Sequence, residues 1–290
     1  MYAIMGITGR VGGAVAAALL AKGNEIRAIV RSSSKGSAWA KRGAEVAVAD
    51  SLDTPALARA FRGVAGVFVM TPPEFAPSPG FPESAAIVGA IRSALAEAMP
   101  PKIVGLSSIG AQHDHGIGLL QKLYVLEREL GQLSMPCTFL RPGWFMENAA
   151  WDVEPARQRG EFESYLQPVE RPVPMVATAD VGRVAAELLL EEWTGRRIVE
   201  LEGPDRISPK DVAGALGRAL GRDVVAKPVA HERWASIFES RGTSWPEPRV
   251  EMLDAFNSGW ADFEGRELRR GRIRFDDVAA ELVAEKGGEQ

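Results

Sequence analysis

The chain has a single cysteine, no long apolar run and no excess of positive charge, and each shortage removes a class of function. One cysteine, Cys137, allows no internal disulfide, and its neighbours Pro136, Thr138, Phe139 and Leu140 mark a buried strand thiol rather than a nucleophile. No stretch of roughly eighteen apolar residues is present to cross a membrane, and glycines and Arg10 interrupt the first apolar run before it could serve as an export signal. A cytoplasmic protein is expected. The net charge of −4 provides no general basic surface, so neither nucleic acid nor an anionic membrane is expected as a partner. Arg266, Arg269, Arg270, Arg272 and Arg274 alternate with Glu264, Glu267 and Asp276 and read as a solvated face. His113-Asp114-His115 has no third ligand at helix or strand spacing and reads as a polar loop, so no metal is expected.

What is present is core-forming material, 46% hydrophobic over 290 residues, and a glycine-rich turn near the start. The length suits one large domain or a main domain with an appendage. Residues 2–5 read as a buried strand. Gly6, Gly9 and Gly12 follow at G-x-x-G-x-x-G spacing and lead into an alanine-rich helix with Val11, Val15, Leu19 and Leu20 on one face. The first glycine permits the tight turn, the second lets a pyrophosphate approach the backbone, and the third lets the helix pack close to the strand. Free amides from Arg10 to Ala14, backed by the positive end of the helix dipole, make this an anion site. Gly23 caps the helix and residues 25–30 form a second strand, which completes a dinucleotide-binding βαβ unit. Its cofactor-contacting candidates are Gly6, Thr8, Gly9, Arg10, Val11 and Gly12.

After the second strand, where an acidic residue would bind the ribose hydroxyls of NAD, stands Arg31, followed by Ser32, Ser33, Ser34 and Lys35 in a basic loop. A guanidinium with neighbouring hydroxyls and an ammonium suits a 2′-phosphate, so NADP(H) is preferred over NAD(H). The βα rhythm then continues with strands at 44–49, 66–70, 102–106 and 137–140 and helices at 54–61, 83–98 and 119–133, which gives a doubly wound α/β Rossmann sheet. Ligands sit beyond the carboxyl ends of such strands. Asp50, Thr71 and Ser107 are therefore cofactor candidates, and Phe75 and Phe81 line a candidate acceptor rim. Residues 141–148 are expected to leave the sheet as a long aromatic loop carrying Trp144, Phe145 and Asn148 towards an acceptor. Residues 1–150, rejoined by 177–202, make up the expected NADP(H)-binding domain, and 151–176 with 203–290 a smaller C-terminal α/β lobe.

Several segments resemble the NmrA-like group of atypical short-chain dehydrogenase/reductases, of the quinone oxidoreductase and triphenylmethane reductase type. They are Gly6-Ile7-Thr8-Gly9-Arg10-Val11-Gly12, Ile29-Val30-Arg31, the run from Phe139 to Asn148, Ala179-Asp180-Val181, the run from Leu201 to Asp205, and the run from Leu253 to Gly259. The resemblance covers nearly the whole chain. It implies an NADP(H) domain, a cleft beneath a small C-terminal lobe, and a role as either a reductase or a redox-sensing regulator. The pattern departs from the wider family at the catalytic helix. Short-chain dehydrogenases use a Tyr and a Lys four residues apart, and many atypical relatives keep a Lys or His four residues before a glutamate. If Glu127 is that glutamate, the two positions hold Leu119 and Leu123.

Lys122 and Tyr124 flank the expected position, each turned roughly 100° from it around the helix. With His113 they are the candidate proton donors. A positioned donor is worth about 10² to 10⁴ in rate, so chemistry that depends on one is disfavoured. Flat, electron-poor acceptors such as quinones or dyes remain open to hydride. The expected function is thus reduction of a planar conjugated small molecule, or alternatively non-catalytic NADP(H) sensing through a regulatory protein partner, by a monomer or homodimer.

Overall fold

The computed structural model describes residues 1–74 and 76–287. Numbered along the chain, eight of its strands build one parallel sheet: β1 (Tyr2–Ile4), β2 (Ile26–Val30), β3 (Glu45–Val48), β4 (Gly66–Val69), β5 (Ile103–Leu106), β6 (Cys137–Pro142), β10 (Arg196–Glu202) and β13 (Glu267–Arg270). Their order across the sheet is β3-β2-β1-β4-β5-β6-β10-β13, so the direction of winding reverses between β1 and β4. β4, β5 and β6 are buried throughout, as continuous apolar runs covered on both faces must be.

Side chains alternate between the faces. Ile4 and Phe68 pack with α1 (Arg10–Ala21) and α7 (Thr178–Leu190). Ala3, Met5, Val67 and Val69 pack on the other side with α3 (Thr54–Phe61), α4 (Pro82–Ala98) and α5 (Gln121–Leu130). The contact between α1 and α7 is close enough that a Cβ on Gly182 would fall 2.3 Å from the Cβ of Ala14.

Two elements depart from the sequence expectation. The basic loop after β2 is the start of a helix, α2 (Ser33–Ala40), because Gly36 lies flush against the sheet; a Cβ there would sit 2.6 Å from Val46 Cγ1. The alternating run of Arg and Glu contains β13, an edge strand whose charges are paired rather than simply solvated: Arg197 bonds Glu267 at 2.7 Å and Arg269 bonds Glu191 at 2.8 Å.

The remaining strands form a three-stranded sheet of β7 (Trp144–Phe145), β9 (Val173–Val176) and β11 (Arg206–Ile207), and a pair of β8 (Glu161–Ser164) with β12 (Val225–Pro228). With α6 (Val153–Arg159), α8 (Pro209–Leu220), α9 (Trp234–Ser240), α10 (Glu247–Ser258) and α11 (Phe275–Gly287) they surround a core that includes Val153, Leu216, Trp234 and Phe238. α8 starts at a capping box, where Ser208 and Asp211 exchange hydrogen bonds ahead of Pro209.

Buried carboxylates tie the C-terminal segment to the large sheet. Glu200 on β10, fully buried, accepts the amides of Glu264 at 2.6 Å, Gly265 at 3.1 Å and Arg266 at 2.9 Å. Asp180 on α7 accepts those of Arg272 at 2.7 Å and Ile273 at 2.8 Å. Each replaces water around a charge with several aligned donors, the condition under which a buried carboxylate is tolerated. Among the described residues no helix is long and apolar enough to cross a membrane.

Candidate functional site

The glycine turn occupies the point where the strand order reverses. Gly6 has φ +64°, a conformation that side chains disfavour, and a Cβ there would meet Met70 Sδ at 2.3 Å. Gly12 is held by the fold itself: a Cβ would lie 2.3 Å from the carbonyl oxygen of Gly6 and 2.8 Å from that of Met5. Gly9 differs, since a Cβ would find only the Gly6 oxygen, at an ordinary 3.4 Å. Nothing inside the protein demands glycine there, whereas a ligand approaching the backbone would.

Gly9 is also the N-cap of α1 and supplies no side chain to it, so the first amides of the helix remain for an anion. Val11 faces the core, while Thr8, Gly9 and Arg10 are exposed. The Arg10 guanidinium reaches α11 and pairs with Glu285 at 3.0 Å.

At the end of β2, Arg31 and Lys35 are exposed and form no ion pair among the described residues. Ser32 is the N-cap of α2 but its hydroxyl is 3.1 Å from that of Ser34 rather than on a helix amide. Two free cations therefore stand beside an uncapped helix start. Asp50, following β3, is exposed and accepts the Leu52 amide at 3.0 Å.

Beyond β4 lie Thr71, buried, and the irregular segment leading to α4. The Lys122 ammonium, projecting from α5, donates to the carbonyl of Pro72 at 3.3 Å. Burial lowers its pKa below the ordinary lysine value, and the nearby Glu74 carboxylate opposes the shift. Tyr124 points elsewhere, with Arg128 5.8 Å from its ring. His113 stacks on Trp260 at 3.8 Å and its Nε2 lies 3.0 Å from the Trp260 carbonyl. The three candidate donors thus belong to three different surroundings, and only Lys122 borders the segment after β4.

The loop expected over residues 141–148 needs correction. Residues 141–148 do not form a loop, because β6 continues to Pro142, β7 pairs with β9, and a 3-10 turn over Met146–Trp151 follows. The chain passes so close to β9 that a Cβ on Gly143 would be 2.5 Å from the Pro174 carbonyl. Trp144 consequently packs edge-on against Phe256 in the lobe, with ring centres 5.1 Å apart, and Phe145 packs on the α1–α7 face of the sheet. Asn148 is exposed. Phe81 turns towards the lobe as well, 5.4 Å from Trp245. Phe75 lies outside the described residues. A 630 Å³ groove along α10, lined by His115, Glu251, Asp254 and Trp260 among others, includes none of the expected rim residues.

Ser107 is buried, and its hydroxyl donates to Glu127 Oε1 at 2.6 Å, so it is engaged within the protein. Glu127 also takes two bonds from the buried Arg141, at 2.7 and 2.8 Å, and Arg141 reaches Glu264 at 2.5 Å. Despite the cost of burying it, the Arg141 pKa is raised, because both carboxylates hold its charge. The sequence carries a signal for this network: an arginine near the end of an otherwise apolar strand and a glutamate among the buried residues of α5.

The chain is similar in sequence and in fold to several known proteins. The NAD(P)H azoreductase of Xenophilus azovorans is 29% identical over 261 residues, spanning 90% of this chain and 86% of its own length. Quinone oxidoreductase 2 of Escherichia coli strain K12 is 26% identical over 255 residues, spanning 87% of this chain and 85% of that one. The solved structure of an NADPH-dependent quinone oxidoreductase from Escherichia coli, complexed with NADPH, matches with a TM-score of 0.81 at 24% identity, over 97% of this chain and 99% of that chain. The sequence model of the NmrA-like family matches residues 2–263, and the chain belongs to that family.

Proposed function

We propose that this protein is an NADPH-dependent reductase of a flat, conjugated small molecule of the azo or quinone class. The carrying observation is the open glycine turn, at the reversal point of the sheet, with Arg31 beside it unpaired among the described residues. The 29% identical azoreductase relative supports the acceptor class. When bound, the dinucleotide supplies a hydride from its nicotinamide ring. The first amides of α1 hold the pyrophosphate, and Arg31, Ser32 and Lys35 hold the 2′-phosphate, which favours NADP(H) over NAD(H). Residues 1–150 with α7, β10 and β13 form the cofactor half, and the C-terminal lobe closes the acceptor side with Phe81 and Trp144 at the junction.

Lys122 is the proton donor in this reading. An acceptor that gains two electrons takes its proton from the Lys122 ammonium, which regains one from solvent. A donor must be protonated to act, so its contribution is present at low pH and lost as pH rises through its pKa. Burial places that loss below the pH of an ordinary lysine. Lys122→Met should lower kcat by about 10² and remove the alkaline limb of the pH profile while leaving NADPH affinity intact.

The deciding experiment is steady-state NADPH oxidation with a panel of quinones and azo dyes. Tight NADPH binding without turnover of any acceptor would overturn the reductase reading. It would favour a sensor that acts through a protein partner, for which Leu119 and Leu123, both apolar and packed inward, are the supporting feature.

A further inference from the structure

Arg10 is the first residue of α1 and so stands at the amides that the proposed pyrophosphate site uses. Its only ion pair among the described residues runs to Glu285, 275 positions away on α11. Both side chains are about half exposed, 51% and 57%, so neither is locked by packing and the pair can exchange with a ligand. A carboxylate on that guanidinium stands where a phosphate oxygen would: Glu285 Oε2 accepts from Arg10 Nη2 at 3.0 Å, beside the positive end of a helix.

We infer that Glu285 is an affinity-setting residue of the dinucleotide site, a built-in carboxylate that competes with the cofactor pyrophosphate for Arg10. This rests on the dinucleotide reading above and adds to it a residue from the other end of the chain. When a dinucleotide binds, Arg10 turns to the pyrophosphate and the end of α11 loses one of its ties, keeping the bond from Arg157 to the Val283 carbonyl at 2.9 Å. Because NADPH and NADH share the pyrophosphate, Glu285 weakens both by the same factor, in contrast to Arg31, which discriminates between them. The competition is between exposed charges and is therefore screened by salt.

Calorimetric titration of NADPH and NADH into the full chain and into Glu285→Gln tests this. The variant should bind both dinucleotides more tightly, by about two- to fivefold, the range open to an exposed ion pair. The gain should shrink as ionic strength is raised towards about 1 M. Hydrogen exchange supplies a readout independent of affinity: NADPH should accelerate exchange at residues 283–287 of the wild type, and the variant should show that faster exchange without ligand. Equal or weaker binding by Glu285→Gln, with an unchanged melting temperature, overturns the role of Glu285 while leaving the dinucleotide site standing. A tighter affinity for NADPH alone also overturns it, since Arg10 would then be reading the 2′-phosphate. Failure of the wild type to bind either dinucleotide removes the site and this inference together.

Discussion

At the β1–β2 end of the sheet, Arg31 and Lys35 stand exposed without an ion pair among the described residues, α1 and α2 begin without a side-chain cap, and Gly9 leaves room for an incoming group. At the β6–β10 end, Arg141 and Glu127 are buried in a two-pronged pair, Glu200 accepts three backbone amides, and Asp180 accepts two amides and the Arg183 guanidinium. Charge that the protein satisfies internally serves the fold, and charge that it leaves open is available to a ligand. Substitution of the open charges and of Gly9 at the first end should therefore change binding at constant stability, and substitution of the paired charges at the second should change stability at constant binding.

The largest expected effect is at the closed end. Arg141→Ala leaves Glu127 buried with one partner fewer and should cost about 3–5 kcal/mol in chemical denaturation, with the NADPH dissociation constant of the folded fraction unchanged. A loss below about 1 kcal/mol would mean that water reaches the pair. Next is the contrast within the glycine turn. Gly9→Val should fold normally yet lose at least about 100-fold in dinucleotide affinity, roughly 2.7 kcal/mol. Gly12→Ala should instead lose stability, since its Cβ meets backbone at 2.3 Å. Retained affinity in Gly9→Val would place the ligand elsewhere.

Arg31→Ala should weaken NADPH by about 10- to 100-fold, the worth of a charge-assisted hydrogen bond, with NADH little affected. Equal losses for both would refute the assignment of the 2′-phosphate. The smallest change is at the boundary between the two ends. Trp144→Leu removes an edge-to-face contact worth about 0.5–1.5 kcal/mol and should lower the melting temperature by a few degrees, with a minor effect on the acceptor KM. An unaltered melting temperature with a raised KM would assign Trp144 to the acceptor instead of the lobe contact.

The same contrast explains what could be read from the sequence. The glycine turn, the strand–helix rhythm and Arg31 are local signals, spelled out within a few neighbouring residues. The closed end is built from distant ones: Arg141 meets Glu264 across 123 positions, and Glu200 holds amides 64 to 66 positions away. α2 was hidden because Ser33 to Ala40 has weak helix propensity and is held by the packing of Gly36 against Val46. β13 was hidden because an edge strand needs no apolar run when its charges pair with the neighbouring strand β10. Residues 141–148 read as a loop because a two-residue strand such as β7 leaves no periodicity to detect.

The most direct measurement is a crystal structure of the protein with NADPH. The account predicts the pyrophosphate on the first amides of α1, the 2′-phosphate on Arg31, and the nicotinamide ring beside Thr71 and within reach of Lys122. A dinucleotide bound anywhere else, or bound here with Arg31 turned away and the nicotinamide remote from Lys122, would contradict it.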